Sequence, residues 1–502
     1  MFQPRCRFTS RAVWVITLAA VVAASVATAK AADARQNRGP YQATGFKVGE
    51  VTDTSATVWT RLTARPKPNP GPTFVLKVPE GAPPLPRDAA SVAELPAAVP
   101  GAAGEVRVRW RMAKESSDSA ATGTNADWQS TEWRAVDPQR DFTRQIKLEG
   151  LKPASQYEIA VETRNAPDSG PGQTLEGRFH TAPAAASAAD VRFVVTTCHG
   201  LPSQDCPEGY KIYGQMLALD PDFMVHTGDI VYYDFGSTPH DWARSIHLAR
   251  YHWWRTYSLP GTVEFHRLVT SYFIKDDHDA WQNDCWPTMK NKNMGDFTFA
   301  EGLEVFREQV PMGDSTYRTF RWGKDLQIWL VEGRDFRSPN TMPDGPEKSI
   351  WGEEQKAWFK RTVEESDATF RVLLSPTPLV GPDRKNKRDN HSNKVFAHEG
   401  NELRTFISGQ KNMVTMNGDR HWQYHSVDPK TGLREYSCGS CSDKHAGGWG
   451  PDEFIPEYHR YLRVKGGFLS GTLDHATGKP RLTLRFHDVD GKVRHEDQLV
   501  AE

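Results

Sequence analysis

The first feature of this sequence that could do chemistry is a carboxylate placed directly after a predicted strand. The apolar run 223–225 ends at Gly228, Asp229 follows on the turn, and Tyr232 comes three residues later. Side chains just past the end of such a strand point into the crevice where open α/β sheets hold their ligands. A carboxylate and a phenol are hard donors that suit a trivalent metal ion. The spacing indicates a metal site, and a surface turn with an ordinary Asp is the simpler alternative.

A second segment gathers acids after another predicted strand. Residues 276–279 are D-D-H-D, and Asn283 and Asp284 follow within a few residues. So many carboxylates would repel one another strongly if they were unpaired. A bound cation converts that repulsion into coordination. This segment therefore favours a metal site over a solvated acidic turn.

A third segment repeats the pattern late in the chain. The short apolar strand predicted at 412–416 ends in N-G-D-R-H, which places Asp419 and His421 two residues apart on the same side of an extended chain. Three clusters of Asp or His, each at a predicted strand end, are hard to attribute to chance. We therefore expect the segments to meet at one metal centre.

The N-terminus has the pattern of a secretory signal peptide. Residues 1–11 contain three arginines and no acid, residues 12–29 are apolar, and small residues near position 29 offer cleavage sites. We therefore predict a leader over 1–31 and an exported protein, periplasmic or extracellular, that touches the membrane only if the leader stays uncleaved as an anchor. Cys6 separates Arg5 from Arg7, so an adjacent twin-arginine signal is not present.

Composition sets limits on the remaining chain. Its 502 residues suffice for two to four domains with large cores. The 62 basic and 63 acidic side chains leave a formal net charge of -1, which argues against a general nucleic-acid-binding surface. No sequence-specific nucleic-acid partner is expected.

Residues 41–183 are predicted to form a first domain. Short segments alternate apolar and polar residues at period two between turn-rich stretches, which is typical of a β-sandwich. The segment 151–157 has the spacing of a fibronectin-type tyrosine corner, and Trp59 is placed to be a core residue. The Pro- and Ala-rich stretch 64–104 is expected to be a long surface loop. We interpret this domain as a packing or positioning module, and carbohydrate or cell-surface binding is the alternative.

A second domain is predicted over 191–502, after the linker 184–190. The buried strand 191–196 ends just before Cys198, and a helix over 210–219 leads to the strand that ends before Asp229, which completes a β-α-β unit. Cys198 therefore lies beside Asp229. Its thiol is either a small buried hydrophobe or a metal ligand.

Together these motifs resemble a known family. T-C-H at 197–199, G-D-I-V-Y at 228–232, D-D-H-D at 276–279 and G-D-R-H at 418–421, after a fibronectin-like domain, are similar to the PhoD-type alkaline phosphatases of the calcineurin-like metallophosphatase superfamily. The resemblance covers nearly all of the mature chain. It implies a four-layer α/β/β/α metallophosphatase sandwich, preceded by a fibronectin III/Ig-like β-sandwich, and hydrolysis of phosphate mono- or diesters.

The resemblance also implies a set of metal ligands. Those carried over by motif for Fe³⁺ are Cys198, Asp229, Tyr232, Asp419 and His421. Ca²⁺ would share Asp229 and take Asn283, although Gln282 is the alternative at that position. Asp277 of the D-D-H-D segment is a further predicted metal ligand, and other divalent metals are alternatives.

Three more residues are candidates for contacts with substrate. His278 could donate a proton to the leaving group, or could instead be a metal ligand or a hydrogen-bond partner of one. Arg337 could clamp phosphate oxygens, or could pair with Asp335. His391, in a long polar loop after a predicted strand, is a tentative metal or substrate contact.

The predicted function is a secreted, metal-dependent phosphoesterase acting on a small phosphate ester or diester. The alternatives are a phospholipase D-like phosphodiesterase on phospholipids and a binding protein built on a phosphatase fold. Five cysteines follow the leader, so at least one thiol is unpaired. Cys206 with Cys285, and the C-x-x-C pair Cys438 and Cys441, are the candidate disulfides.

Overall fold

The computed structural model describes residues 39–74, 83–113, 127–235, 239–476 and 478–501. The predicted leader lies outside these residues. Within them, no helix has the length and apolar character needed to cross a bilayer.

The strands are β1 Phe46–Gly49, β2 Ser55–Arg61, β3 Glu105–Met112, β4 Gln129–Ser130, β5 Arg134–Ala135, β6 Thr143–Glu149, β7 Gln156–Arg164, β8 Thr174–His180, β9 Val191–Thr196, β10 Phe223–Thr227, β11 Thr270–Ile274, β12 Arg318–Trp322, β13 Leu326–Leu330, β14 Phe370–Ser375, β15 Met413–Asn417, β16 Gln423–Val427, β17 Arg434–Cys438, β18 His459–Arg463, β19 Phe468–Asp474, β20 Arg481–His487 and β21 Val493–Val500. The α-helices are α1 Ala89–Ala93, α2 Lys211–Ala218, α3 Ile246–Tyr257, α4 Pro260–His266, α5 Asp277–Ala280, α6 Phe299–Gln309, α7 Gly352–Glu364 and α8 Ala397–Ser408.

The N-terminal part is a β-sandwich, as its alternating pattern predicts. One sheet has the order β1-β2-β6, and the other has the order β4-β3-β7-β8 with β5 paired to β3. The tyrosine corner is present, because the backbone N–H of Lys152 donates to the phenol oxygen of Tyr157 at 2.8 Å. Val58 and Val108 are fully buried in the core shared by the two sheets.

Two expectations for this part need correction. Trp59 is fully buried, but it faces the second half of the chain: its indole N–H donates to the carbonyl of Glu308 at 2.7 Å, and the Lys47 ammonium lies 3.4 Å from its ring centroid. The reason is the pleat, because Val58 takes the core face of β2 and the next residue points the other way. The stretch 64–104 is not simply a surface loop, since it contains α1 and buries Val92 against the helices of the second half.

The second half has two large sheets packed face to face. Their strand orders are β11-β10-β9-β19-β20-β21 and β12-β13-β14-β15-β17-β16-β18. Rings from the two inner faces touch, with centroids 4.6 Å apart for Phe223 and Trp322 and 4.4 Å apart for Tyr272 and Phe320. Helices α2, α3, α4 and α6 cover the outside of the first sheet, while α7 and α8 cover the outside of the second. The result is the expected four-layer α/β/β/α sandwich.

Parallel pairing brings the motif segments to one edge of this sandwich. Strands β9, β10 and β11 run parallel in the first sheet, and β13, β14 and β15 run parallel in the second. A Cβ at Gly418, just past β15, would overlap the carbonyl oxygen of Thr227 at the end of β10. Only glycine allows the carboxyl ends of the two sheets to approach this closely.

The five cysteines of the described residues are all free thiols. The candidate pair Cys206 and Cys285 does not form, because Cys285 is buried in the core near α3 and α6 while Cys206 lies on a partly exposed turn after β9. Cys438 and Cys441 are both buried and also unpaired.

Candidate metal centre

Three of the predicted ligands adopt an uncommon backbone conformation. Cys198, Asp229 and Asp419 have φ of 57°, 57° and 61°, in the left-handed region that residues other than glycine rarely occupy. Each lies just past a strand end, and backbone bonds hold the first two together: the N–H of Cys198 donates to the carbonyl of Gly228 at 3.2 Å. Such conformations cluster at functional sites because surrounding structure must stabilise them. Here they bring the side chain of Asp229 close to those of Cys198 and Asp419.

Cys198, Asp229, Tyr232 and His421 form the first cluster of potential ligands. Asp229 Oδ2 accepts hydrogen bonds from Cys198 Sγ at 3.4 Å and from Tyr232 Oη at 3.1 Å. Tyr232 Oη also lies 3.4 Å from His421 Nε2. Donor atoms of Cys198, Asp229 and His421 lie within 4.8 Å of one another, close enough to share one ion. The structure therefore brings together a thiol, a carboxylate, a phenol and an imidazole that were predicted from three separate motifs.

Asp229 also belongs to two further groups. One contains Asp277 and His278, and the other contains Asp276 and Asp419. Oδ1 of Asp229 is buried and has no hydrogen-bond partner among the described residues, although Oδ2 has two. A buried carboxylate oxygen without a partner is costly unless an ion or water satisfies it. Asp229 is thus the shared residue of the cluster and retains an oxygen for a cation.

The electrostatics of the cluster also fit a bound cation. Burial raises the pKa of Asp229 well above its ordinary value; His278 lowers it, but Asp277, Asp279 and Asp419 raise it again. Burial likewise raises the pKa of the Cys198 thiol, and the charge of Asp229 adds to the effect. Positive charge among these groups would reverse both shifts, because it favours the carboxylate and the thiolate.

His278 is held by a carboxylate outside the predicted set. Its Nδ1 lies 2.5 Å from Asp234 Oδ1, and its ring lies over Tyr232 with centroids 4.3 Å apart. Burial alone would lower the pKa of His278, but Asp234, Asp277 and Asp229 outweigh it and raise the pKa well above its ordinary value. The imidazole is therefore stabilised in its charged, proton-donating form.

The structure separates the two candidates for the amide ligand. Gln282 is buried, and both ends of its side-chain amide are engaged in hydrogen bonds, with Met289 and Asn291 of the same loop. Asn283 is exposed, and its backbone N–H donates to Asp234 Oδ2 at 2.7 Å. The amide of Asn283 is therefore the one left available for a ligand.

Arg337 does not have the predicted orientation. Its guanidinium is buried and donates to the carbonyl of Asp389 and to the side chain of Asn340. It therefore does not pair with Asp335, and it is not exposed for contact with a substrate. Asp335 instead pairs with Lys275 at 2.7 Å. The arginine that reaches the cluster is Arg334, whose Nε donates to Asp276 at 2.6 Å. Arg334 and Arg337 lie three positions apart and have different partners, and sequence alone does not say which of them reaches the cluster.

His391 also lies away from the cluster. It is fully buried, and its Nε2 lies 2.9 Å from Glu399 in α8. The Trp351 ring stands edge-on to the imidazole, and the Arg404 guanidinium donates to the His391 carbonyl at 3.0 Å. The expectation of a metal or substrate contact at His391 is wrong, because this histidine stabilises the turn before α8.

The cluster contains residues that the motifs do not reveal. His445 Nε2 lies 2.9 Å from Tyr232 Oη, and the His445 ring lies 4.1 Å from that of His421. Asp389 forms a further acidic group with Asp277 and Asp284, which Lys387 neutralises at 2.6 Å from Asp284. The loop carrying Asp389 could be recognised as functional by its length and position, but no signal marks His445.

Comparisons with known proteins identify the family and the fold. The family model described as PhoD-like phosphatase matches residues 193–452, and that of the PhoD-like phosphatase N-terminal domain matches residues 26–183. A solved structure of PhoD is similar with a TM-score of 0.66 at 16% identity, over 92% of this chain and 91% of that chain. Purple acid phosphatase PPD1 from yellow lupin (Lupinus luteus) seeds is similar with a TM-score of 0.60 at 12% identity, over 91% and 74%. No curated protein matches.

The similar structures support the fold, and the family models cover both halves of the chain. The first model alone spans just over half of the 502 residues and includes the Cys198, Asp229, D-D-H-D and Asp419 segments. The chain therefore belongs to the PhoD-like phosphatase family, and it is a hydrolase of phosphate esters.

Proposed function

We propose that this protein is an exported phosphatase whose metal centre contains a ferric ion and calcium and whose substrates are small phosphate mono- or diesters. The proposed ligands of Fe³⁺ are Cys198, Asp229, Tyr232, Asp419 and His421. Those of Ca²⁺ are Asp229, Asp277 and Asn283. The observation that carries this proposal is the position of Asp229, which belongs to three separate ligand groups and keeps a buried oxygen without a hydrogen-bond partner among the described residues.

The donor chemistry supports these metal identities. A thiol and a phenol beside an imidazole favour a transition metal in a high oxidation state, whereas carboxylate and amide oxygens alone favour Ca²⁺. When bound, the cations neutralise phosphate charge and lower the pKa of water toward neutrality. The side chains around them must then bind the ester, orient it and supply a proton.

His278 is the proposed proton donor to the leaving oxygen. Asp234 engages Nδ1, so Nε2 is the nitrogen left to donate, and 18% of the side chain is exposed. A carboxylate behind an imidazole fixes its tautomer and orientation and stabilises its charged form. Asp234 is therefore a positioning residue for His278. Membership of His278 in a group with Asp229 and Asp277 supports the competing role of metal ligand.

Tyr232 is proposed to be oriented by a histidine pair. His421 and His445 approach its phenol oxygen at 3.4 Å and 2.9 Å. Burial raises the pKa of Tyr232 well above its ordinary value, and Asp229 adds to this. A phenol of this kind ionises only beside a cation, so its deprotonation reports that an ion is bound.

Export is proposed from the leader pattern of residues 1–31. The protein recovered from outside the cytoplasm should begin near residue 30 when its N-terminus is sequenced. Recovery of the intact leader with the membrane fraction would instead indicate an uncleaved anchor.

The substrate class is tested by one kinetic panel on the purified protein. We expect release of 4-nitrophenol from 4-nitrophenyl phosphate or from bis(4-nitrophenyl) phosphate, and loss of release after removal of metals with a strong chelator. Phosphatidylcholine vesicles form the third arm, which addresses the phospholipase alternative. Release of choline or phosphatidic acid at rates above those of both chromogenic esters would contradict the small-ester assignment.

A further inference from the structure

A second group of potential metal ligands lies outside the metal centre, between the first sheet and its helices. It consists of His199, His226 and Cys441, which we call the helix-side triad. One donor atom of each lies within 4.8 Å of the others, and all three side chains are fully buried. The group contains no carboxylate.

The pleat explains why this group is separate from the metal centre. In β10, Met224 and His226 face the helix layer, whereas Val225 faces the opposite sheet. The His226 and His199 rings lie 4.5 Å apart, and the His199 ring stacks on Tyr210 near the start of α2. Cys441 packs in the same helix-side core as Met224.

The polar atoms of the triad are incompletely satisfied. Neither ring nitrogen of His226 has a hydrogen-bond partner among the described residues. Nε2 of His199 lies 2.6 Å from Tyr213 Oη, and Cys441 Sγ donates to the carbonyl of Thr197 at 3.0 Å. Buried polar groups without partners are rare, and a bound water or ion is the usual way in which they are satisfied.

Two imidazoles and one thiol are a soft ligand set. Such sets select copper or zinc over calcium, magnesium or manganese. Burial lowers the pKa of His226 well below its ordinary value, so its imidazole is neutral, which is the form that binds a metal. Cys441 would release its proton to solvent when a metal ion binds, and its thiolate would then be the single negative charge in the group.

Charge balance distinguishes between the two metals. A monovalent cation with one thiolate and two neutral imidazoles gives a neutral buried group, whereas a divalent cation leaves a net charge of about +1. Burying a net charge without a counter-ion is strongly unfavourable. We propose that the helix-side triad binds one Cu(I) ion, which ties β9, β10 and the segment after β17 together. This inference does not depend on the metals assigned to the phosphatase centre.

The test uses a Cys198→Ser background, which removes the buried thiol of the phosphatase centre. The full-length variant is purified without air from cells grown with added copper, and the metal-free protein is also titrated with Cu(I) against a chromogenic copper chelator. We expect one copper per chain in at least one of these arms, a thiolate-to-copper absorption band, and a thermal midpoint several degrees higher than that of the metal-free protein.

Two cysteine variants provide the matched comparison. Adding Cys441→Ser should abolish the bound copper, whereas adding Cys438→Ser should leave it, because Cys438 is equally buried and lies three residues away but outside the triad. Circular dichroism is the control for the folding of both variants. Equal copper content in the two variants would overturn the proposal.

A second variant covers the case in which Cys441→Ser fails to fold. His226→Leu replaces the unpartnered imidazole with an apolar side chain of similar size, so the folded variant should bind no copper and its thermal midpoint should not respond to Cu(I). Copper binding by His226→Leu, absence of copper from the background variant in both arms, or tighter binding of Zn²⁺ than of Cu(I) would each contradict the assignment. Absence of both metals would mean that a buried water satisfies His226.

Discussion

The phenol oxygen of Tyr232 lies 2.9 Å from Nε2 of His445, a residue more than 200 positions later in the chain. A Cβ at Gly200 would overlap the His445 ring, so glycine at that position is needed for the imidazole to reach Tyr232. The segment after Cys441 is tied to the first strand end, because the N–H of Cys441 donates to the carbonyl of Cys198 at 3.3 Å. Residues from both ends of the catalytic half therefore position one proposed iron ligand.

The role of Tyr232 is tested by the visible absorption spectrum of the iron-loaded protein. Tyr232→Phe removes only the phenol oxygen, so the visible phenolate-to-iron charge-transfer band of the concentrated protein should disappear while the fold is retained. His445→Ala keeps the phenol and should shift or weaken the band without removing it. The two spectra are compared at equal iron content, measured by elemental analysis. An unchanged band in Tyr232→Phe would exclude this residue as an iron ligand.

The role of His278 is tested by the leaving group. If it donates a proton to the departing oxygen, His278→Asn should slow hydrolysis of an alkyl phosphate by about 10²-fold or more and that of 4-nitrophenyl phosphate much less, because 4-nitrophenolate leaves without a proton. Metal content should be unchanged. A uniform loss across leaving groups, together with loss of metal, would show that His278 is a ligand instead.

Asp234→Asn is the companion variant to His278→Asn. It keeps a hydrogen-bond partner for Nδ1 but removes the charge that raises the pKa of His278. A proton donor positioned by Asp234 should show the same dependence on the leaving group in Asp234→Asn, with a smaller amplitude.

The parts of this site that sequence could predict share a physical cause. Asp229 and Asp419 each follow a buried strand and a glycine, and the carboxyl ends of parallel strands are where α/β folds place their ligand-binding residues. His445 lies in an irregular loop, and its position depends on tertiary contacts that leave no local pattern. The predicted contacts of Arg337 and His391 with metal or substrate fail for the same reason, since sequence does not determine the direction of a single side chain in a loop.

Trp59 shows a similar limit for the fold. Alternation in β2 correctly predicts a strand of a sandwich, but it cannot say which face meets the sandwich core and which meets another domain. Both faces of β2 are buried, so an apolar residue on either face gives the same pattern. The tyrosine corner could be predicted fully because its partners lie within one turn of chain.

His391 is expected to affect stability rather than catalysis. His391→Ala removes a hydrogen bond to Glu399 and should lower the free energy of unfolding by about 1–3 kcal/mol, measured by urea denaturation, with metal content unchanged. Loss of metal from folded His391→Ala protein would instead show that His391 contributes to metal binding.

Glu399 should make stability depend on pH. Burial alone would raise its pKa, but hydrogen bonds from His391, Ser349 and the backbone of Ile350 outweigh it and lower the pKa from 4.5 to about 2. Between these values the unfolded chain binds more protons than the folded chain. The contribution of Glu399, about 3 kcal/mol, is therefore present above pH 4.5 and is lost as pH falls toward 2. Glu399→Gln should flatten stability across this window, and an unchanged slope would contradict the assignment.

The N-terminal sandwich is expected to support the catalytic half without supplying ligands. Trp59→Ala removes buried contacts with Glu308 and Lys47 and should lower the free energy of unfolding by about 3–5 kcal/mol. Trp128→Ala, on the partly exposed face of the sandwich, is the matched control and should cost less. Both folded variants should keep the metal stoichiometry of the parent. A loss of metal in Trp59→Ala alone would show that this domain shapes the centre.

The most direct measurement of the central claim is metal content and activity in Asp229→Asn. The shared carboxylate loses its charge but keeps its shape, so iron and calcium should both fall and turnover of the chromogenic ester should drop by about 10³-fold or more. Asp220→Asn is the control, because Asp220 also has a positive φ (48°) but lies exposed at the other end of β10; it should retain full activity and both metals. If folded Asp229→Asn protein kept its metals and more than about a tenth of parent activity, a barrier change of only about 1.4 kcal/mol, Asp229 would not be the residue that the two metals share.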